Sequence, residues 1–287
     1  MGKSRQEVKA QKECFACLQD QARRWSKNIA HSYVQTLKRD ENGVSAFPPP
    51  YLAITLYSLL SQERGVQDLY EQIKLQCIKK AHKLLQGIDP LALSPKEGIE
   101  FAVMGNVIDY GSASSFEIEN FDLQKEREKL EFACFEFEKF EQKLHNAKKI
   151  VILADNAGEN LFDELMISSL IASYPHLKFY YFLRGYPIIN DLTLKDLQNP
   201  YCQNIFSLAE VVDSGVRSPG FIYAQSLPKA REIYDDADLI IAKGMGNYEC
   251  MEEHKDERVF FLLKIKCQVV AKHLNMPLGK MVFKQNL

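Results

Sequence analysis

Five short apolar runs, each closed by a polar cluster and separated by segments of helical texture, constrain this chain more than any other feature. The runs are Lys149–Ala154, Lys178–Leu183, Glu210–Val212, Leu239–Ala242 and Val259–Leu263. Lys149-Ile150-Val151-Ile152-Leu153-Ala154 shows almost no apolar–polar alternation, as expected of a strand covered on both faces. Segments of helical character lie between the runs, among them Asn160–Ala172 and Pro228–Tyr234. Such alternation predicts an α/β fold with a largely parallel, doubly wound sheet.

The first half reads as helices. Apolar residues recur at 3–4 spacing from Glu13 to about Lys38, and again over Asp68–Leu85 through Leu69, Ile73, Cys77, Ala81 and Leu84. Pro48-Pro49-Pro50 separates two segments, since consecutive prolines remove donors and fix φ. Ser94-Pro95-Lys96-Glu97 is a helix start with Ser at the N-cap, Pro at N1 and Glu at N3, and its helix should reach about Asp109. Gln124–His145 reads as one charged, amphipathic helix. The period changes near Asn146 without a flexible linker, so a helical part over residues 1–147 is expected to share an interface with an α/β part over 148–287.

The chemistry gathers at the ends of the runs. The first ends in Asp155-Asn156-Ala157-Gly158-Glu159, and the second in Arg184-Gly185-Tyr186-Pro187-Ile188-Ile189-Asn190-Asp191. Asp213-Ser214-Gly215, Lys243-Gly244-Met245-Gly246-Asn247 and Lys264-Ile265-Lys266 close the others. Ligands of open parallel sheets bind outside the carboxyl ends of the strands, so these clusters should line one crevice. Asp155, Asn156 and Asp191 offer hard oxygen ligands suited to Mg²⁺ or Mn²⁺. Lys243, Lys264 and Arg184 supply positive charge, and glycine turns allow close backbone approach, which together describe a phosphate site. Asn106 and Asp109, three apart on the helix begun at Ser94, would point into the crevice from the helical part. Each residue also has an ordinary structural role open to it: Asp155 or Asn156 as a helix cap, Asp213-Ser214-Gly215 as a turn, Lys264 and Lys266 as a solvated strand end.

Composition narrows the field. With 36 Lys+Arg against 38 Asp+Glu there is no global charge to attract nucleic acid or anionic lipid. No apolar run is long enough to span a bilayer, and Met1–Lys12 lacks an apolar signal core, so a cytoplasmic protein without membrane or nucleic-acid partners is expected. Seven cysteines in 287 residues fit reduced thiols. Cys14 and Cys17 form a close pair without the further ligands that a structural zinc site needs, and on a helix they share the face of Leu18, Trp25 and Ile29, which favours core packing.

At these motifs the chain resembles the metal-dependent damage-control phosphatases, a family formerly catalogued as a domain of unknown function and related to proteins once described as acidic-residue methyltransferases. The resemblance runs through Glu13-Cys14-Phe15-Ala16-Cys17, Gly105-Asn106-Val107-Ile108-Asp109-Tyr110-Gly111, Ala154–Glu159 with Asp163, Arg184–Asp191, Val212–Gly215, Lys243–Glu249 and Leu263–Cys267. It departs at Gln268, where the family often has proline, and at Met245, where a polar residue is frequent. The resemblance implies a helical N-terminal part packed on a Rossmann-like sheet, with a divalent ion (Mn²⁺, Co²⁺, Ni²⁺ or Mg²⁺) held by Asp155, Asn156 and Asp191. It implies contacts to phosphate or substrate from Asn106, Asp109, Lys243, Asn247 and Lys264. The implied reaction is hydrolysis of small phosphorylated metabolites, such as sugar phosphates or phosphopantetheine-like esters, by a metal-bound water or by Asp155 as nucleophile, with Glu159 or Asp163 as a candidate base. Two rivals are an S-adenosylmethionine-dependent methyltransferase and a non-catalytic phosphometabolite-binding protein. The first expects a glycine-rich turn after the first strand and an acidic end to the second, where this chain has Gly158 alone and Arg184.

Overall fold

The computed structural model describes residues 8–107 and 123–287, and the five apolar runs are the five strands of its parallel core. The strands are β1 (Phe132–Phe135), β2 (Lys149–Leu153), β3 (Lys178–Leu183), β4 (Glu210–Asp213), β5 (Leu239–Lys243), β6 (Asp256–Lys264) and β7 (Met281–Asn286). They form one sheet in the order β1-β7-β6-β5-β2-β3-β4. From β6 to β4 every pairing is parallel, with Ile150 opposite both Phe179 and Leu239. β7 runs antiparallel to β6, and β1 runs parallel to β7, so these two strands oppose the core. The chain leaves β2 toward β3 on one side and returns to β5 on the other. That reversal makes the carboxyl ends of β2 and β5 the crevice where such sheets bind ligands.

Helices cover both faces. They are α1 (Lys12–Arg23), α2 (Lys27–Thr36), α3 (Pro49–Arg64), α4 (Glu71–Leu84), α5 (Pro95–Val107), α6 (Leu123–Glu128), α7 (Phe137–Leu144), α8 (Glu159–Ser173), α9 (Ile205–Leu208), α10 (Pro228–Asp235), α11 (Gly244–Met251) and α12 (Gln268–Leu274). Ile150, Ile152 and Ile241 face a core completed by Cys77 of α4, Phe101 of α5 and Phe162 of α8. Val151, Leu153 and Ile240 face the other, completed by Phe15 of α1, Leu56 of α3 and Val270 of α12. Each core therefore draws on both sides of residue 147. The helical part contributes to the two cores of the sheet, and β1, which precedes the expected boundary, is a strand of that sheet. No helix among the described residues is long and apolar enough to cross a membrane.

Ser94 and Glu97 form the expected reciprocal cap: the Ser94 amide donates to Glu97 Oε2 (2.9 Å) and the Glu97 amide to Ser94 Oγ (3.3 Å). Two expected helices are broken. The first ends at Arg23 and restarts at Lys27, because Ser26 turns extended and its Oγ accepts from the Ile29 amide. The apolar spacing continues through the break since Trp25 and Ile29 still pack on the same core. The second, Gln124–His145, yields α6, β1 and α7. Phe132 and Phe135 lie with ring centroids 4.3 Å apart, and Phe132 pairs with Met281. Aromatic side chains fit a pleated, half-buried surface, and here tertiary pairing overrides the local helical pattern.

Candidate active site

Asp155 follows β2 and Gly244 follows β5, and the two meet at the reversal point. The Asp155 carboxylate lies over Gly244, where a Cβ would stand 1.9 Å from Oδ2, and Gly244 adopts φ +76°. Only glycine admits both that approach and that backbone. The carboxylate thus rests at the N-terminal end of α11, whose dipole favours negative charge. Asp191 reaches the same place along a different path: Asn156 and Asp191 form an isolated antiparallel bridge, and the Leu192 amide donates to the Asp155 carbonyl at 2.8 Å. The structure therefore brings Asp155, Asn156 and Asp191 together.

α5 adds to this group from the opposite side. It packs closely on α8, with a Cβ at Gly105 destined to lie 3.2 Å from Glu159 Cα. The next residue, Asn106, donates Nδ2 to Glu159 Oε2 and, at 3.5 Å, to Asp155 Oδ2. Asn156 Nδ2 donates to Asp155 Oδ2 (3.0 Å) and Glu159 Oε1 (2.8 Å). Asn106 is 3% exposed, yet its Oδ1 accepts no hydrogen bond from the described residues. Asp109 lies outside the described residues.

Burial pushes the Asp155 carboxyl well above the usual carboxylate range, and the charges of Glu159 and Asp191 push it further against the pull of Lys266 and Arg184. Burial also raises Asp191, to about 6, although Arg184 Nε donates to its Oδ1 at 2.9 Å. Asp155 thus feels the charges of Glu159 and Asp191, although no group of three or more His, Cys, Asp or Glu side chains among the described residues is gathered closely enough to hold a metal ion. The oxygen donors of Asp155, Asn156 and Asp191 are of the hard type that Mg²⁺ or Mn²⁺ takes.

The expected cations divide by what they touch. Lys243 is fully buried, bound to Asp163 and 3.5 Å from Glu159. Burial works against its charge, but the surrounding carboxylates outweigh that and hold the ammonium above its usual range. Asp163 is closed in by Lys243 and by the Tyr181 hydroxyl at 2.7 Å. Lys264 ends β6 half-buried, and it is Lys266, two residues on and exposed, that lines the cavity beside Asp155. Arg184 and Asn247, expected at the ligand, are internal braces. The guanidinium of Arg184, 2% exposed, is taken up by Asp191, the Pro219 carbonyl (2.7 Å) and Asn247 Oδ1 (3.2 Å). Asn247 Nδ2 donates to the carbonyls of Leu153, Ala154 and Lys243, and its Oδ1 accepts from the Phe221 amide. Polar residues beside a strand end have the chemistry of ligand contacts, whereas these two tie one strand end to the next. Asp213 is likewise a turn residue, its Oδ1 accepting from the Gly215 amide.

A cavity of about 270 Å³ opens from the carboxylates. Asp155, Asn156 and Asp191 form one end, while Leu18, Pro50 and Ala53 of α1 and α3 form an apolar wall. Cys14 is buried as expected of a core residue, but Cys17 is exposed, and both line the cavity. Glu249 also faces it, its carboxyl pushed up by burial to about 8. Glu249 enters the family resemblance only as the last residue of Lys243–Glu249, and besides Cys14 and Cys17 α1 brings Glu13, Leu18 and Gln21 to the cavity.

The carboxylates at the sheet's reversal point, with lysine beside them and a cavity with an apolar wall leading away, make this crevice the candidate active site of an enzyme. The model of the damage-control phosphatase ARMT1-like domain matches residues 5–282, and the chain is a member of that family. A damage-control phosphatase of Pyrococcus horikoshii is 30% identical over 97% of this chain and 99% of its own length. One from Archaeoglobus fulgidus is also 30% identical, over 82% of this chain and 81% of its own. The crystal structure of a DUF89 family protein from Pyrococcus horikoshii superimposes with a TM-score of 0.80 at 28% identity, covering 97% of this chain and 99% of that one. A phosphatase role follows from this membership.

Proposed function

We propose that the chain is a divalent-metal-dependent phosphatase of small phosphate monoesters, sugar phosphates or phosphopantetheine-like metabolites. The observation that carries the reading is the Asp155 carboxylate, buried over Gly244 and facing the charges of Glu159 and Asp191. Asp155, Asn156 and Asp191 would hold the ion, which when bound neutralises phosphoryl charge and polarises the group for attack. Lys266, exposed at the cavity, adds a point charge for a phosphate oxygen. Glu159 is fixed by Asn106 and Asn156 and takes the proton of the attacking water. Asp163 is enclosed by Lys243 and Tyr181, so its part is to keep Lys243 in place. The leaving group would lie in the 270 Å³ cavity, against the apolar wall that α1 and α3 provide. Phosphoryl transfer asks mainly for positioning and charge stabilisation, which is what these side chains offer.

Phosphate release from a panel of sugar phosphates, phosphopantetheine and an aryl phosphate tests the reading, with chelator and after restoring Mn²⁺. Turnover should vanish with chelator and return with the ion. Release indifferent to chelator would remove the metal, and no release from any ester would remove catalysis. Arg184 bears on the methyltransferase alternative: it stands at the end of β3, where a nucleoside site needs an acidic side chain, and is spent on Asp191 and Asn247.

A further inference from the structure

Lys74, on α4, is a completely buried lysine outside the crevice. Its Nζ lies 3.0 Å from Asp68 Oδ2 and 3.0 Å from Asp196 Oδ2. Asp68 is fixed by its own chain, its Oδ1 accepting from the Tyr70 amide at 2.9 Å. Asp196 belongs to the loop after β3, and the oxygen that takes Lys74 also accepts from the amide (2.8 Å) and hydroxyl (2.7 Å) of Thr193. Thr193 bridges Arg184, and between them the Arg184 amide donates to the Leu192 carbonyl at 3.0 Å. The loop bearing Asp191 is therefore fastened at its start by β3 and at its end by Lys74.

The same helix face touches the other half of the site. Gly158, at φ +95°, lies so close to α4 that a Cβ there would be 3.0 Å from the Cys77 carbonyl carbon and oxygen. Cys77 is three residues from Lys74, on the same side of α4. One helix face thus abuts the turn that follows Asp155 and holds the loop that carries Asp191. Lys74's charge also reaches Asp191, opposing the upward push of burial on that carboxyl.

We infer that Lys74 is a positioning residue, whose buried ammonium ties α4 to the Asp191 loop and so sets where Asp191 stands relative to Asp155. The inference rests on the proposed reading for its consequence in metal binding, but its structural core is independent of that reading. Groups behind first ligands commonly change metal affinity by roughly 10–100-fold when removed. A buried ion cluster kept only for packing would instead show its loss in stability.

Lys74→Met and the charge-relieved pair Lys74→Met with Asp196→Asn separate the two roles. In Lys74→Met, peptides covering Ile188–Thr193 should exchange amide hydrogens about tenfold faster, with β5 unchanged. Mn²⁺ titrated without substrate should bind at least about tenfold more weakly. The double variant removes the unpaired Asp196 charge, so its unfolding midpoint should move back toward wild type while its Mn²⁺ affinity stays low. Recovery of both together, or Mn²⁺ affinity and exchange in folded Lys74→Met matching wild type, overturns the inference. Where Lys74→Met alone does not fold, the double variant carries both measurements. If wild type itself binds no Mn²⁺, the metal reading fails, and the exchange rates decide: local acceleration supports the tether and its absence refutes it.

Discussion

Asp155 is held where its own charge is unwelcome, so removing it separates function from stability. Asp155→Ala should abolish chelator-sensitive phosphate release while leaving the unfolding midpoint equal to or above wild type, because the cost of burying that carboxylate, and with it the repulsion from Glu159 and Asp191, disappears. Retained turnover would take Asp155 out of the site. Gly244→Ala tests the same contact from the other side: the added methyl meets the carboxylate and the backbone is left-handed. Turnover should fall by roughly 100-fold and stability by about 2 kcal/mol, read by phosphate release and urea titration. Glu164 gives a pH test away from the crevice. Burial lifts its carboxyl from 4.5 to about 7 in the fold, so the neutral form is favoured there. Its contribution is complete below about pH 4.5 and is lost as pH rises through 7. Glu164→Gln should thus exceed wild type in stability by about 2 kcal/mol near pH 8, with the gap closing toward pH 5, measured by denaturant midpoints. The residue types of the site were readable in sequence, but the direction of a side chain was not. Arg184 and Asn247 have the chemistry of ligand contacts and turn inward, whereas Lys266 looked like a strand end and faces the cavity.

Elements were legible where the chain carries their cause locally. The strands of the parallel core announce themselves because burial on both faces writes an unbroken apolar run, and α5 because its cap is made of neighbours in sequence. β1 and β7 carry no such local signal, since what makes Phe132–Phe135 extended is pairing with residues far along the chain. Connections between strand ends were hidden for the same reason. Asn247 joins the ends of β2 and β5 through three carbonyls and holds the Phe221 amide as well. Asn247→Ala would strand buried groups on five residues, Arg184 among them, and should cost roughly 3 kcal/mol in urea unfolding. A loss within a few tenths of that of an average surface change would show that water replaces the brace.

The molecule as a whole should behave as one unit. Both cores combine side chains from before and after residue 147, so heat should produce a single calorimetric transition. A fragment starting at residue 148 should lack near-ultraviolet circular dichroism, having lost Cys77, Phe101, Phe15 and Leu56 from its two cores. Two resolved transitions, or a natively packed fragment, would instead support two separately folding parts on either side of residue 147. Biosynthesis imposes a schedule on this architecture. β1 ends at Phe135, yet the strand that receives it begins at Met281, about 145 residues downstream. At translation speeds of roughly 5–20 residues per second, β1 waits roughly 7–30 s with its apolar face unclaimed. Over that interval the ribosome-bound chain is a natural client for chaperones, and its first strand is among the final pieces to settle.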